Sequence, residues 1–269
     1  MDLNQAQAAA VRAARSAGKL MRRHLASDKR AFLATQYDIK LDLDVRCQRT
    51  IERTLRAASP DVALLGEEGV TGRADAQYRW VVDPIDGTVN FSYGIPHACV
   101  SIALQKQTTI QTSKIKDRGS APPEYETLVG VVLDPFCDEL WTAIRGRPAR
   151  LNGRIIHVSR RRKLAETLIS IGFAKSRESL EATLPYFNRL VRRVRKIRMM
   201  GAAALALSYV ATGRFDAYIE RGIRLWDIAA GGLIVECAGG EFWHLPNAGA
   251  DTYRMVASNG LLRRALERV

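Results

Sequence analysis

Asp83 and Asp86 stand three residues apart in WVVDPIDGTVNF, Trp80 to Phe91, with the Ile85 carbonyl between them. Two carboxylates and a carbonyl at this spacing offer hard oxygen donors of the kind Mg2+ prefers, and Mg2+ commonly bridges to phosphate. Trp80, Val81 and Val82 read as the end of a buried strand. Pro84 fixes φ and removes a backbone donor, and Gly87 permits a tight turn beside a bound group. Thr88 then supplies a hydroxyl at the start of the next element. A plain β-turn, whose aspartates bond only to backbone amides, uses the same residues. The distribution of acids favours the metal reading. Asp38 to Asp86 holds ten acidic residues against seven basic ones, a local charge of −3 in a chain of formal net charge +13. Carboxylates about 4 Å apart repel by roughly 4 kcal/mol per pair at an effective dielectric near 20, so gathering several of them calls for a cation.

Two further segments carry acids at element ends. In LLGEEG, a strand ending at Gly66 delivers Glu67 and Glu68 into a loop, where a solvated turn is the alternative. In WDIAAGGLIVECAGG, Trp226 to Gly240, Asp227 sits at the start of a helix and reads alone as an N-cap. The small residues Ala229, Ala230, Gly231 and Gly232 let that helix approach a neighbour closely, which would carry Asp227 toward the other acids.

The elements that must position these residues alternate along the chain. Helical spacing joins Val11, Ala14, Gly18, Met21 and Leu25, and a second helix is expected from Asp44 to about Ala58. Strands are expected at Val62 to Leu65, Arg79 to Val82, Cys99 to Leu104, Leu128 to Leu133, Glu139 to Ile144 and Ile155 to Val158. Gln105 to Glu126 reads as a loop or insertion through Gly119, Ser120, Pro122 and Pro123. The second half alternates strand Leu168 to Ile171, helix Glu178 to Val191, strand Lys196 to Met199, helix Ala202 to Thr212, strand Phe215 to Ile219 and helix Asp227 to Ala238. That order implies mixed sheets covered by helices, an α+β to α/β class.

At 269 residues, 47% hydrophobic and 26% charged, the chain has a globular composition. No apolar run approaches the ~20 residues of a membrane span, and the N-terminus lacks a signal-peptide core, so a cytoplasmic protein is expected. Cys47, Cys99, Cys137 and Cys237 are scattered, as are the four histidines, which speaks against zinc or a disulfide framework. The basic excess lies in Arg145, Arg147 and Arg150; in Arg160 to Lys163; and in Arg192, Arg193, Arg195, Lys196 and Arg198. These runs read first as a solvated face, since no aromatic residues interleave them; a nucleic-acid or polyanion surface is the alternative. No GxSxG elbow, GxxxxGK[ST] loop or GxGxxG fingerprint is present.

GEE, DPIDGTVNF and WDIAAGGLIVECAGG, in that order and at these separations, resemble the three signatures of the inositol monophosphatase family, Mg2+-dependent, lithium-sensitive phosphatases related to fructose-1,6-bisphosphatase. GAAALALSYVATGRFDAYIE and VGVVLDP are also similar to family segments. The resemblance implies a layered αβαβα sandwich and a homodimer. It places an N-terminal half at 1–150 with most of the metal ligands and a C-terminal half at 151–269, joined as one unit. It further implies two or three Mg2+ ions held by Glu67, Asp83, the Ile85 carbonyl, Asp86 and Asp227, with Asp83 bridging two of them. Thr88 and Asp44 would activate water, the amides of Gly87 and Thr88 would hold the phosphate, and Glu220 would bond substrate hydroxyls; a solvated strand end is the alternative for Glu220. The sequence departs from the family at DIKLDLD, Asp38 to Asp44, where Leu41 replaces a threonine and Asp42 is added, which bears on a third metal. The substrate implied is a small phosphate ester, foremost inositol 1-phosphate or a similar polyol phosphate. Histidinol phosphate and 3′-phosphoadenosine 5′-phosphate are the alternatives, and an RNA-binding protein on a retired phosphatase scaffold is the non-enzymatic one.

Overall fold

Apolar side chains alternate faces along the long strands, and that alternation builds two cores back to back. Trp80, Val82, Ile102, Leu104, Val129, Val131 and Leu133 feed one core, while Val81, Ala103, Val132 and Trp141 feed the other. The computed structural model describes residues 1–27, 31–34, 39–73, 75–108, 124–173, 177–247 and 252–268.

The chain begins with α1 (Leu3–His24), β1 (Ala31–Ala34), β2 (Ile39–Leu41), α2 (Asp42–Ala58), β3 (Ala63–Gly66), β4 (Gly69–Thr71), β5 (Tyr78–Asp86) and α3 (Thr88–Ser92). It continues with β6 (Cys99–Gln107), β7 (Tyr125–Asp134), β8 (Glu139–Ile144), β9 (Arg150–Leu151) and β10 (Arg154–Ile155). A 3-10 turn at Leu164–Glu166 leads into β11 (Leu168–Ile171), α4 (Arg177–Leu190), β12 (Lys196–Arg198), α5 (Ala203–Ala211) and β13 (Ala217–Ile223). The remainder is α6 (Leu225–Cys237), β14 (Glu241–Pro246), β15 (Tyr253–Ser258) and α7 (Arg263–Glu267).

Eight strands form one sheet in the order β10-β9-β8-β7-β6-β5-β3-β4, and five form a second in the order β12-β11-β13-β15-β14. Helices α1 and α2 cover the outer face of the first sheet, α5 and α6 lie between the sheets, and α4 packs on the far side of the second with α7. The stack is therefore the expected αβαβα sandwich, with helices in every layer that a sheet face must cover.

Small residues set the spacing of the inner layer. A Cβ on Gly130 of β7 would stand 2.7 Å from the Ala230 carbonyl of α6, one on Gly231 would stand 2.7 Å from Leu207 of α5, and one on Gly232 would stand 2.3 Å from the Phe242 ring of β14. Helix α6 is thus wedged against three neighbours at backbone contact, as its run of small residues predicts.

The structure differs from the sequence expectation at several places. The strand expected over Ile155 to Val158 is confined to Arg154–Ile155, because the Ile156 amide bonds the Ala149 carbonyl and the Val158 amide bonds the Ala238 carbonyl beyond any ladder. Strands β14 and β15 and helix α7 were not anticipated: β14 presents Trp243 and Leu245, both exposed, in place of an apolar alternation. Strand β6 runs on to Gln107 and β7 begins at Tyr125, so the expected loop is narrower; residues 109–123 of it, like Asp38, lie outside the described residues. Among the described residues, no helix is long and apolar enough to cross a membrane.

Because the Ala230 backbone cannot rotate away from a new methyl group, Gly130→Ala is expected to cost roughly 1–3 kcal/mol and lower the melting temperature by about 2–12 °C. Calorimetry checks this, and an unchanged midpoint would show slack between β7 and α6.

Candidate active site

Strand β5 carries its apolar run straight into the acids: Asp83 is 2% exposed and Asp86 is 7% exposed. The Asp83 Oδ1 accepts from the Ile85 amide at 3.0 Å, closing a tight turn around Pro84, and the Thr88 hydroxyl donates to the Ile85 carbonyl at 2.8 Å. Gly87 makes the turn into α3 with φ +92°, and a Cβ there would meet the His97 carbonyl at 2.9 Å. Only glycine tolerates both conditions at once. The amides of the first turn of α3 have no intrahelical partners, as at any helix start.

Each remaining acid arrives on its own element. Glu67 follows β3 at the β3–β4 turn, which Gln48 of α2 clamps: its Oε1 accepts from the Glu68 amide at 2.9 Å and its Nε2 donates to the Gly69 carbonyl at 3.2 Å. Gly66 is needed there because a Cβ would overlap the Gln48 amide at 2.3 Å. Asp227 occupies the third position of α6, accepts from the Arg224 amide at 2.9 Å, and stands close enough to Asp83 to raise its carboxyl. The Ser101 hydroxyl on β6 fixes the start of that helix through the Trp226 carbonyl at 3.1 Å. Asp44, buried in α2, accepts from the Leu41 amide at 2.7 Å, and β2 lies beside α3.

The structure therefore brings Glu67, Asp83, Asp86 and Asp227 within electrostatic reach of one another. Burial, reinforced by the charges of Glu67, Asp86 and Asp227, pushes the Asp83 carboxyl well above the usual carboxylate range. Burial also pushes Asp86 up to about 6, against the opposing pull of hydrogen bonds from the Ala203 and Ala204 amides. Those bonds, at 3.0 and 2.7 Å, make Asp86 the cap of α5 from a distant strand, and the Cys99 thiol adds a third at 3.5 Å.

Carboxyl groups that act on one another in this way call for a proton or a cation among them. An all-oxygen donor set, negatively charged and buried, fits a hard divalent cation. Among the described residues, no three His, Cys, Asp or Glu side chains already stand gathered as a metal shell. Asp86 is instead engaged with the first amides of α5, and a bound cation would take over part of that cap.

Glu220 lies on β13, where the buried Tyr218 hydroxyl donates to its carboxylate. Burial and the Glu220 charge raise the Tyr218 phenol well above its ordinary value, and Asp86 and Asp227 add to the effect, so Tyr218 stands between Glu220 and the acid cluster. Gly172, beside β11, leaves room for the Glu220 carboxylate, which a Cβ would overlap. Tyr218, Gln48, Cys99 and the α5 amides escape the sequence reading. The Tyr218–Glu220 spacing, two residues on one strand face, was the signal available for the first of them.

The sequence model of the inositol monophosphatase family matches residues 2–117 and 123–267. The chain belongs to the inositol monophosphatase family. It is 37% identical over 270 residues to a Nus factor SuhB of Xylella fastidiosa, covering 96% of this chain and 92% of that protein. It is 36% identical over 265 residues to inositol monophosphatase 1 of Solanum lycopersicum, covering 95% and 91%. Among solved structures, extragenic suppressor protein suhB of Bartonella henselae superposes with TM-score 0.83 at 33% identity, covering 97% of this chain and 96% of that one. An inositol monophosphatase from Anabaena gives TM-score 0.82 at 31% identity, covering 100% and 96%. Family membership supports a phosphatase.

Because folding raises both the Asp83 and Asp86 carboxyls, the native state holds protons more tightly than the unfolded chain. The resulting stabilisation is complete below about 4 and is lost as pH rises through about 6 and above. In EDTA, the melting temperature of Asp83→Asn relative to the parent is therefore expected to rise across this window, because the substitution removes the buried charge. A difference that stays flat with pH, followed by scanning fluorimetry, would disprove it.

Proposed function

We propose that this protein is a Mg2+-dependent phosphomonoesterase that hydrolyses inositol 1-phosphate or a similar small polyol phosphate. The observation that carries this reading is the gathering of acids from strand β5, the β3–β4 turn and helix α6, where the charges of Glu67, Asp86 and Asp227 all act on the buried Asp83. Glu67, Asp83, the Ile85 carbonyl, Asp86 and Asp227 would hold two or three Mg2+ ions, which supply Lewis acidity toward the phosphate and lower the pKa of water. Thr88, oriented through the Ile85 carbonyl, passes the proton of the attacking water toward Asp44 at the start of α2. The Gly87 and Thr88 amides, together with the partial positive charge of a helix start, hold phosphate oxygens. Glu220, fixed by Tyr218, accepts hydrogen bonds from substrate hydroxyls and so favours a polyol over a plain alkyl ester. The homodimer and the lithium sensitivity implied by the family resemblance, and the cytoplasmic placement expected from the sequence, belong to the same reading.

A second reading rests on a different observation. Strands β11 and β12 pair in parallel, and the Arg195 and Lys196 amides both bond the Thr167 carbonyl. The pairing sets the exposed run Arg160 to Lys163 near the exposed run Arg192 to Arg198. With relatives named Nus factor SuhB, this supports a polyanion-binding role, RNA foremost, alongside catalysis.

Phosphate release from inositol 1-phosphate, fructose 1,6-bisphosphate, histidinol phosphate and 3′-phosphoadenosine 5′-phosphate is expected to require Mg2+, to stop in EDTA and to favour the inositol ester. Asp83→Asn is expected to abolish turnover with the fold intact. Thr88→Ala should lower kcat by about 100- to 10,000-fold with little change in KM. Normal turnover in either variant removes the assigned role. For the second reading, replacing Arg160, Arg162, Arg192 and Arg195 by Gln should reduce the salt slope of single-stranded RNA binding by about 3. An unchanged slope places RNA elsewhere.

A further inference from the structure

The outer face of the second sheet carries a charge arrangement that the acid cluster does not use. Side chains alternate on β13 and β15: Tyr218, Met255 and Ala257 enter the inner core, while Ala217, Ile219 and Val256 enter the outer one. Arg221 and Arg254 therefore point outward, and the antiparallel register sets them directly opposite each other. Like charges in direct register across a pair of strands repel. Among the described residues, neither arginine has a carboxylate within ion-pair distance. At the other end of the same groove, Arg263 pairs with Glu267 at 3.0 Å, so the surplus positive charge is concentrated at the Arg221–Arg254 end.

Beside this pair lies a cavity of about 290 Å3 whose floor is Ile219 and Val256 and whose walls include Tyr186 of α4 and Trp243 of β14; Glu241 and Glu267 line it with Arg263 away from the arginine pair, and Glu220 also borders it. Trp243 faces Val256 across the β14–β15 ladder and keeps 41% of its surface exposed. A flat apolar floor, aromatic walls and an arginine pair at one end match a small organic anion, since guanidinium groups bind carboxylate or phosphate bidentately and Trp offers a face for stacking. The volume suits a metabolite-sized ligand.

We infer that this groove binds a small anion with a flat apolar body and one carboxylate or phosphate, seated between Arg221 and Arg254 and against Trp243. The site is separate from the acid cluster, and binding can be read without catalysis. Strand β13 nevertheless connects the two, carrying Ile219 and Arg221 on one face and Glu220 on the other.

Isothermal titration of the full chain with 2-naphthoate, 2-naphthylphosphonate and the neutral 2-naphthylmethanol tests this. One site per chain is expected. The neutral compound should bind at least tenfold more weakly than the better anion, and the stronger of the two anions identifies the head group. Arg221→Gln and Arg254→Gln, both exposed and not expected to disturb folding, should each weaken anion binding at least tenfold, and Trp243→Leu should weaken all three compounds. Anion binding that survives both arginine substitutions overturns the proposal, as does its absence at millimolar concentration. Loss of a dimer in Trp243→Glu, with no naphthoate binding by the parent, would assign the groove to a second copy instead.

Discussion

Four carboxylates, mostly withdrawn from water, must be held where electrostatics would drive them apart. Bringing even two buried carboxylates together costs several kcal/mol unless a proton, a cation or amide donors intervene. The protein uses both protein-borne remedies. Asp83, its carboxyl pushed well above the usual range beside Asp227, holds a proton more readily, and Asp86 takes the first amides of α5. Neither remedy is local, because each joins β5 to a helix more than a hundred residues later in the chain. The inner helical layer can approach β5 this closely only because Ala and Gly line it, so the packing of α6 and the charge of the site are one problem with one solution.

The same constraint explains the division of labour between elements. Strand β5 provides a stiff support on which acids can be buried, and the turn at Pro84 and Gly87 aims them without a flexible loop. Elements that are less buried, such as the Glu67 turn, are held by side-chain clamps instead, here the Gln48 amide. Beyond the site, Asp216 shows the structural use of a buried acid. It is fully buried, pairs with Arg161 at 3.0 Å and accepts from the Leu168 amide at 2.8 Å, tying the 159–161 segment to β11. That acid has protein donors for its charge, whereas Asp83 has acids for neighbours, and this contrast separates a structural carboxylate from a functional one.

Much of this was legible from sequence because local chemistry and burial agree. A hydrophobic run ending in DPIDG suits a buried strand delivering acids, and the small residues after Asp227 announce a close approach. What was not legible depends on contacts distant in sequence. Nothing in GAAALA announces that its amides bond Asp86, and nothing in SIGF announces that Gly172 makes room for Glu220. Strand β14 was missed because its outward residues, Trp243 and Leu245, are apolar, which erases the alternation a reader relies on. The Ile155 to Val158 segment failed in the opposite sense. Its residues suit a strand, but their amides are taken by the turn carbonyls of Ala149 and Ala238.

The position of α6 in the chain has a temporal consequence. The first-half acids of the site, Asp44, Glu67, Asp83 and Asp86, are synthesised before residue 90, yet the helix that covers Val81, Ala103 and Val132 and supplies Asp227 ends only at Cys237. A growing chain that folds from its N-terminus therefore presents an uncovered apolar sheet face and an uncompensated nest of acids until nearly nine-tenths of it has been made. Translation order thus makes closure of the inner layer and completion of the site a single late event.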